Sequence, residues 1–262
     1  MSNIAITVQE LCKKYHVGLF KKKKVAMHKV TFEVTKGEVF GIVGRNGAGK
    51  STLLKLIVGL IRPSAGNISI SGFKPYELSS RKIIGFLPEN PCLYQNLTVW
   101  DHFYFIGKTH NIDGKETRRR GNDLLKKVRL SEVTKIPIRK FSKGMVQRAA
   151  LACALLPDPE MLILDEPMSG LDPLGRQLVV DLIFNYHKKG KTILFCSHIL
   201  TDVERICDRI GIMDHGELKE IVSPKSLSKE GWLSSDDQGG ITTPLESYFL
   251  KVVAQADRKI DS

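Results

Sequence analysis

The segment Gly44-Arg45-Asn46-Gly47-Ala48-Gly49-Lys50-Ser51-Thr52 constrains the fold of this chain more than any other stretch. It fits the spacing G-x-x-x-x-G-K-[ST], a pattern that works only as the turn between a buried strand and a helix. The run before it, Val39-Phe40-Gly41-Ile42-Val43, has the length and β-branched content of a buried strand. The run after it, Leu53 to Val58, puts apolar residues at helical spacing and stops at Gly59. The residue types follow from phosphate chemistry. A triphosphate carries several negative charges, and only a loop poor in side chains can surround it with backbone. Gly44, Gly47 and Gly49 permit that approach and tolerate positive φ. Successive N–H groups then make an anion nest at the positive end of the following helix dipole. Lys50 is a compact charge for the β and γ phosphates, Ser51 offers a hydroxyl to Mg²⁺, and Thr52 can cap toward the α-phosphate. A glycine-rich turn with an incidental lysine is the bland alternative, and the strand and helix on either side disfavour it.

A second anchor lies more than a hundred residues on. Met161-Leu162-Ile163-Leu164 reads as a strand buried on both faces, and it delivers Asp165 and Glu166 at its C-terminal end, where α/β folds bind ligands. Asp165 suits Mg²⁺, directly or through water. Glu166 points differently and can polarise an attacking water as a general base. Alone, the pair could be a solvated acidic turn; alongside a phosphate loop it reads as a hydrolytic site. His198, at the end of the strand-like run Thr192–Cys196, falls beside the Asp165 strand on this reading, near the γ-phosphate. Its imidazole could hold Glu166, water and phosphate in line.

The remaining pattern alternates strand and helix with a helical interruption. Strand-like runs occur at Ile4–Val8, Val25–Val34, Asn67–Ser71, Ile83–Leu87 and Arg209–Met213. Helical runs occur at Val99–Lys108, Lys115–Leu130, Gly144–Leu156 and Gly175–Lys189. This predicts an α/β fold with an inserted helical part. At 262 residues the chain can bury a large core, and no apolar run is long enough to cross a bilayer. Five scattered cysteines without a C-x-x-C pair argue for reduced thiols in a cytosolic protein. The net charge of +12 gathers partly in Lys21–Lys24, expected at a hairpin tip, and Arg118–Arg120. A solvated surface is favoured for these clusters over a membrane face or partner, and nucleic acid is not expected because no recognition signature accompanies them.

Further residues in the same order give a resemblance to the nucleotide-binding subunits of ATP-binding cassette (ABC) transporters, over roughly residues 4–221. Tyr15 sits where that family has an aromatic that stacks on adenine. Phe141-Ser142-Lys143-Gly144-Met145-Val146-Gln147-Arg148 stands at the signature LSGGQ-x-Q-R, Leu87-Pro88-Glu89 at the Q-loop, Ser169-Gly170-Leu171-Asp172 at the D-loop, and His198 at the switch histidine. The resemblance implies a P-loop NTPase (RecA-like) core with an N-terminal antiparallel β-subdomain and an inserted α-helical subdomain. It implies a cassette at residues 1–222, the insert at about 90–157, and a C-terminal linker and helix at 223–262. It also implies ATP and Mg²⁺ as ligands, a separate multi-span membrane permease, and peripheral attachment at the cytoplasmic face of the membrane.

Two departures stand out. The signature keeps Ser142 and Gly144 but has Phe141, Lys143 and Met145 where the family has Leu, Gly and Gln, and Glu89 replaces the Q-loop glutamine while still able to ligate Mg²⁺. Such variants resemble a branch of exporters. The family mechanism is dimeric, a homodimer being expected here, with Ser142 and Gly144 of one chain closing on the phosphate loop of the other. The apolar stretch Pro91–Trp100 is either a docking surface for the permease or ordinary core of the insert. Ser223–Gly240 reads as a mobile connection, and Thr243-Pro244-Leu245-Glu246 as the capped start of a helix. A soluble cassette ATPase acting on DNA or ribosomes, and a low-turnover regulatory subunit, remain as alternatives.

Overall fold

The computed structural model describes residues 3–17, 22–229 and 243–260. The chain begins with two long strands, β1 (Ile4–Val17) and β2 (Lys22–Thr35), paired antiparallel. It then enters β3 (Val39–Gly44), all six residues of which are buried, and turns into α1 (Lys50–Ile57). β4 (Ala65–Ile70) returns to the other edge of β1, making the three-stranded sheet β2-β1-β4. α2 (Leu78–Ile83) leads into β5 (Ile84–Leu87). Three helices follow: α3 (Val99–Thr109), α4 (Gly114–Lys127) and α5 (Lys143–Leu155).

Strand and helix then alternate: β6 (Met161–Asp165), α6 (Pro173–His187), β7 (Thr192–Ser197), α7 (Leu200–Ile206), β8 (Arg209–Asp214) and β9 (Glu217–Val222). The short helix α8 (Pro224–Lys229) and the longer α9 (Pro244–Ile260) close the described chain.

The second sheet has the order β5-β6-β7-β3-β8-β9, parallel throughout except for the β8–β9 hairpin. Its central strands β3, β6 and β7 are buried at every residue, as parallel strands flanked by crossovers must be, while β5 and β9 form its half-buried edges. β7 lies between β3 and β6, with Val43 opposite Ser197 and Asp165 opposite Cys196. That register brings the C-terminal ends of three strands level at one edge of the sheet, the edge where crossover connections leave a crevice.

Three apolar cores hold the molecule together. One lies between the antiparallel sheet and β3, where Ile6, Val8, Phe32 and Val34 meet Phe40, Ile42, Leu53 and Leu54. A second, on the opposite face, joins Leu164 and Phe195 to Leu151, Val179, Val203 and, from α9, Leu245 and Val252. The third belongs to the insert and packs Phe103, Leu125, Val128 and Ile138. α5 belongs to two of these: Ala149, Ala152 and Cys153 face the insert core, and Ala150, Leu151 and Leu155 the main one. A helix apolar on two faces thus joins insert and sheet through both cores.

Most elements read from sequence stand where expected, within a few residues at their ends; β1 runs nine residues past the expected Ile4–Val8, to Val17. Four were not anticipated: α2, α7, β9 and, inside the stretch read as a mobile connection, α8. The first two and α8 are one or two turns long, too short to show a period. β9 is an edge strand whose Glu217, Lys219 and Glu220 keep it polar, which hides the alternation of a half-buried strand. The rest of that connection, 230–240, lies outside the described residues, as does Lys21 of the lysine run; Lys22–Lys24 pair with Tyr15–Val17 in the β1–β2 ladder. In the second basic cluster, Arg119 and Arg120 each reach Glu116 at 2.7 Å, so two of its three arginines form an ion-paired helix face. The stretch Pro91–Trp100 divides: Val99 is core, with Leu93 and Trp100 packed against it, while Tyr94 and Leu97 are exposed. All five cysteines are free thiols.

Candidate functional site

A cleft of about 870 Å³ opens over the level strand ends. Its floor is the phosphate loop, and the loop's shape follows from its glycines. Gly47 and Gly49 have φ of 85° and 103°, the left-handed region that side chains disfavour, and Gly49 ends at the first turn of α1. At Gly44 the constraint is space: a Cβ there would stand 2.3 Å from the Met213 carbonyl oxygen of the neighbouring strand. Lys50 is 7% exposed and folds back across the loop, donating to the carbonyls of Gly44 at 2.7 Å and Arg45 at 3.3 Å. Its Nζ is 3.9 Å from Glu166 Oε1. The ammonium thus stands inside the curve of the loop, with its carbonyl partners on one side and a carboxylate on the other.

The acidic strand end closes one wall. Ser51 Oγ donates to Asp165 Oδ1 at 3.1 Å, joining the start of α1 to the end of β6. Burial pushes the Asp165 carboxyl up from its ordinary value; the Ser51 hydroxyl opposes this, and the negative charges of Glu89 and Glu166 add to the rise. Glu166 is buried and has φ of 49°, unusual for a residue with a Cβ. Its backbone N–H donates to the Cys196 carbonyl at 3.0 Å, and its Oε2 lies 2.8 Å from His198 Nδ1. Gln147, buried in α5, donates weakly to the carbonyls of Glu166 at 3.5 Å and Pro167 at 3.4 Å, so the helix of the insert is tied to the same corner.

Tyr15, Asn46, Gly47, Ala48, Gly49, Lys50, Ser51, Thr52, Glu89, Glu166 and His198 all line this one cleft. Gly44 and Arg45 stand behind it as backbone acceptors for Lys50, and Asp165 lies beneath Ser51. Ser142 and Gly144 do not line it. Ser142 caps α5, its hydroxyl accepting from Met145 N at 3.3 Å, and Gly144 approaches Leu171 and Gly170. The side chain of Lys143, one of the departures from the signature, lies over Gly170. Five cleft residues were not singled out from sequence: Lys24, Val25, Ala26, His215 and Gly216. Lys24 was legible only as part of a charge run, and His215 and Gly216 had no reading from sequence.

The oxygen donors suit Mg²⁺. Among the described residues no group of three His, Cys, Asp or Glu side chains is placed to hold a metal ion. Ser51 and Asp165 nonetheless offer a hydroxyl and a carboxylate side by side, the sparse protein set that Mg²⁺ takes when phosphates and water complete its shell.

A parallel sheet with the phosphate loop on an inner strand, an acidic strand end two strands away and a helical insert define a P-loop nucleotide-binding cassette. The ABC transporter family profile matches residues 27–169, and the chain belongs to that family. A Synechocystis protein described as an uncharacterised ABC transporter ATP-binding protein is 45% identical over 80% of this chain and 60% of its own length. The linearmycin resistance ATP-binding protein LnrL of Bacillus subtilis is 37% identical over 78% of this chain and 67% of its own. A solved structure described as the ATP-binding subunit of an ABC transporter superposes with a TM-score of 0.81 at 31% identity, covering 95% of this chain and 99% of that one. The chain thus spans less than two thirds of the length of the Synechocystis relative.

Proposed function

We propose that the chain is the ATP-binding and hydrolysing subunit that powers export through a separate membrane-spanning partner. The observation that carries the reading is the corner where Lys50, Glu166 and His198 meet, at 3.9 Å and 2.8 Å, inside a cleft floored by the phosphate loop. On this reading the backbone N–H groups of residues 46–50 and the Lys50 ammonium bind the phosphates. Tyr15 stacks on the base. Ser51 and Asp165, with Glu89 at the rim, would hold Mg²⁺, which when bound would supply positive charge against the phosphates. Glu166 takes a proton from the attacking water through its carboxylate, and the His198 imidazole keeps that carboxylate oriented.

The site is completed by a second copy. Ser142 and Gly144 stand at the start of α5, outside their own chain's cleft, with the helix dipole behind them. That is a suitable place from which to meet the γ-phosphate of an opposing subunit. Export is supported by the name of another relative, the Nod factor export ATP-binding protein I of Sinorhizobium fredii, 35% identical over 82% of this chain. Residues 1–222, with the insert at about 90–157, are the working cassette on this reading, and 223–262 its appendage. No described helix is long and apolar enough to cross a membrane. On this reading a permease carries the membrane spans, and the exposed Tyr94, Leu97 and Phe105 of the insert form part of its contact. The chain would then work as a peripheral protein at the cytoplasmic face.

Glu166→Gln is the direct test. Phosphate release should fall at least ~100-fold while ATP binding persists, and gel filtration with ATP should show a trapped dimer. Phosphate release at the wild-type rate would remove Glu166 from the role of base.

A further inference from the structure

We infer that His215 reads the ribose of the bound nucleotide. The inference rests on the nucleotide reading of the cleft and adds to it a residue that no motif marks. β8 and β9 are joined by a two-residue turn, Asp214 pairing with Glu217 across it. His215 and Gly216 have φ of 47° and 77°, the signature of a tight hairpin that ordinarily takes Asn-Gly or Asp-Gly. Asn and Asp are the commoner residues at this turn position, and His215 and Glu166 are the two residues with both a Cβ and a positive φ that line the cleft.

The turn is fixed against the phosphate loop. Gly216 N donates to the Ala48 carbonyl at 3.0 Å, and His28 N donates to the Gly216 carbonyl at 2.8 Å. A Cβ on Gly216 would stand 2.7 Å from the Ala26 carbonyl oxygen, so the turn packs directly on β2. On its inner side Asp214 is 1% exposed, with Oδ2 lacking a hydrogen-bond partner, and this oxygen is 3.8 Å from His215 Nε2. The buried carboxylate gives the ring an electrostatic preference for its orientation. The imidazole itself is 58% exposed and lines the cleft.

Position along the cleft selects the ligand group. Lys50 and Ser51 mark the phosphate end. Tyr15 and Lys24, opposite each other in the β1–β2 ladder, mark the base end. The His215-Gly216 turn is bonded to Ala48 of the phosphate loop and packed on Ala26, two residues along β2 from Lys24, so it bridges the phosphate and base ends, and the sugar of a nucleotide lies between those ends. An imidazole N–H donates to a hydroxyl oxygen in either protonation state, a contact that a ribose offers and a deoxyribose offers less of.

The test compares ATP with 2′-deoxyATP binding, by calorimetry, in the wild type and in His215→Asn. Asn suits the left-handed turn, so the nucleotide-free melting temperature should hold or rise. The wild type should favour ATP by about 3- to 10-fold, the range of one net hydrogen bond, and the variant should bring the ratio near one while leaving 2′-deoxyATP binding unchanged. A wild-type ratio of one would overturn the inference, as would a variant that keeps the wild-type ratio. Equal weakening of both nucleotides would also overturn it, by assigning His215 to phosphate or base. Binding of neither nucleotide by the wild type would overturn the cleft reading, and the inference with it.

Discussion

A methyl group at position 44 would collide with backbone, and backbone cannot rotate away. With 2.3 Å to the Met213 carbonyl oxygen and 3.0 Å to the Ala48 Cβ, Gly44→Ala must push β3 from β8 or distort the loop. Overpacking of this kind destabilises by about 1–3 kcal/mol. Denaturant unfolding should show that loss together with weakened ATP binding. Glu166 illustrates a constraint of the opposite kind. Its left-handed φ of 49° opposes folding by roughly 1–2 kcal/mol and is held by the bond from its N–H to Cys196 and by the His198 contact. The sequence indicated which carboxylate to watch, because an apolar strand ending in Asp-Glu is a local pattern. The twist that aims the side chain at His198 was not legible, because no local preference for glutamate favours it.

Among the elements, α3 shows how a short code starts a helix. Thr98 and Asp101 form a reciprocal cap: the Thr98 hydroxyl accepts from Asp101 N at 3.2 Å, and the Asp101 carboxylate accepts from Thr98 N at 2.8 Å. Val99 and Phe103 then fall one turn apart in the insert core. Thr98→Ala should lower stability by about 1 kcal/mol through the lost cap, and hydrogen exchange should quicken first in the insert. Helices of this length were legible because their apolar residues repeat. α7 was not: its seven residues bury only Val203 and Ile206, with Leu200 partly buried against the same core, and its existence depends on the strands it connects. The tail divides for the same reason. The Pro244 start of α9 was legible from its capping residues, while the seating of Leu245 and Val252 in the main core depended on where the sheet places α7 and β8.

At the scale of the whole molecule, Glu38 binds three parts together. Its carboxylate accepts from Arg209 at the start of β8, at 2.6 Å and 3.0 Å, and from Thr35 N at 2.7 Å and Thr35 Oγ1 at 2.8 Å at the end of β2. Burial pushes the Glu38 carboxyl up, but the bonds from Arg209 and Thr35 outweigh it, and the group is held below its ordinary value of 4.5. A carboxylate with a depressed folded value stabilises above its unfolded value and loses that stabilisation as pH falls through the folded one. Stability lost on acidification below about pH 4.5 should therefore be smaller in Glu38→Gln, which is weaker at neutral pH; equal acid sensitivity of the two proteins would refute the linkage.

The sequence by itself determined the local chemistry of this protein. The phosphate loop, the buried acidic strand end, the capped helices and the alternation of strand and helix all arise from neighbouring residues acting through backbone sterics and hydrophobic period. Tertiary structure decided what lies across from what. Only the strand order puts β7 between β3 and β6 and levels Gly44, Asp165 and Ser197 at one edge. Only packing carries the His215-Gly216 turn to Ala48, more than a hundred and sixty residues away along the chain, and into the cleft. Local preference extends over a few residues, whereas such long-range contacts are selected by the single arrangement that buries all three apolar cores at once.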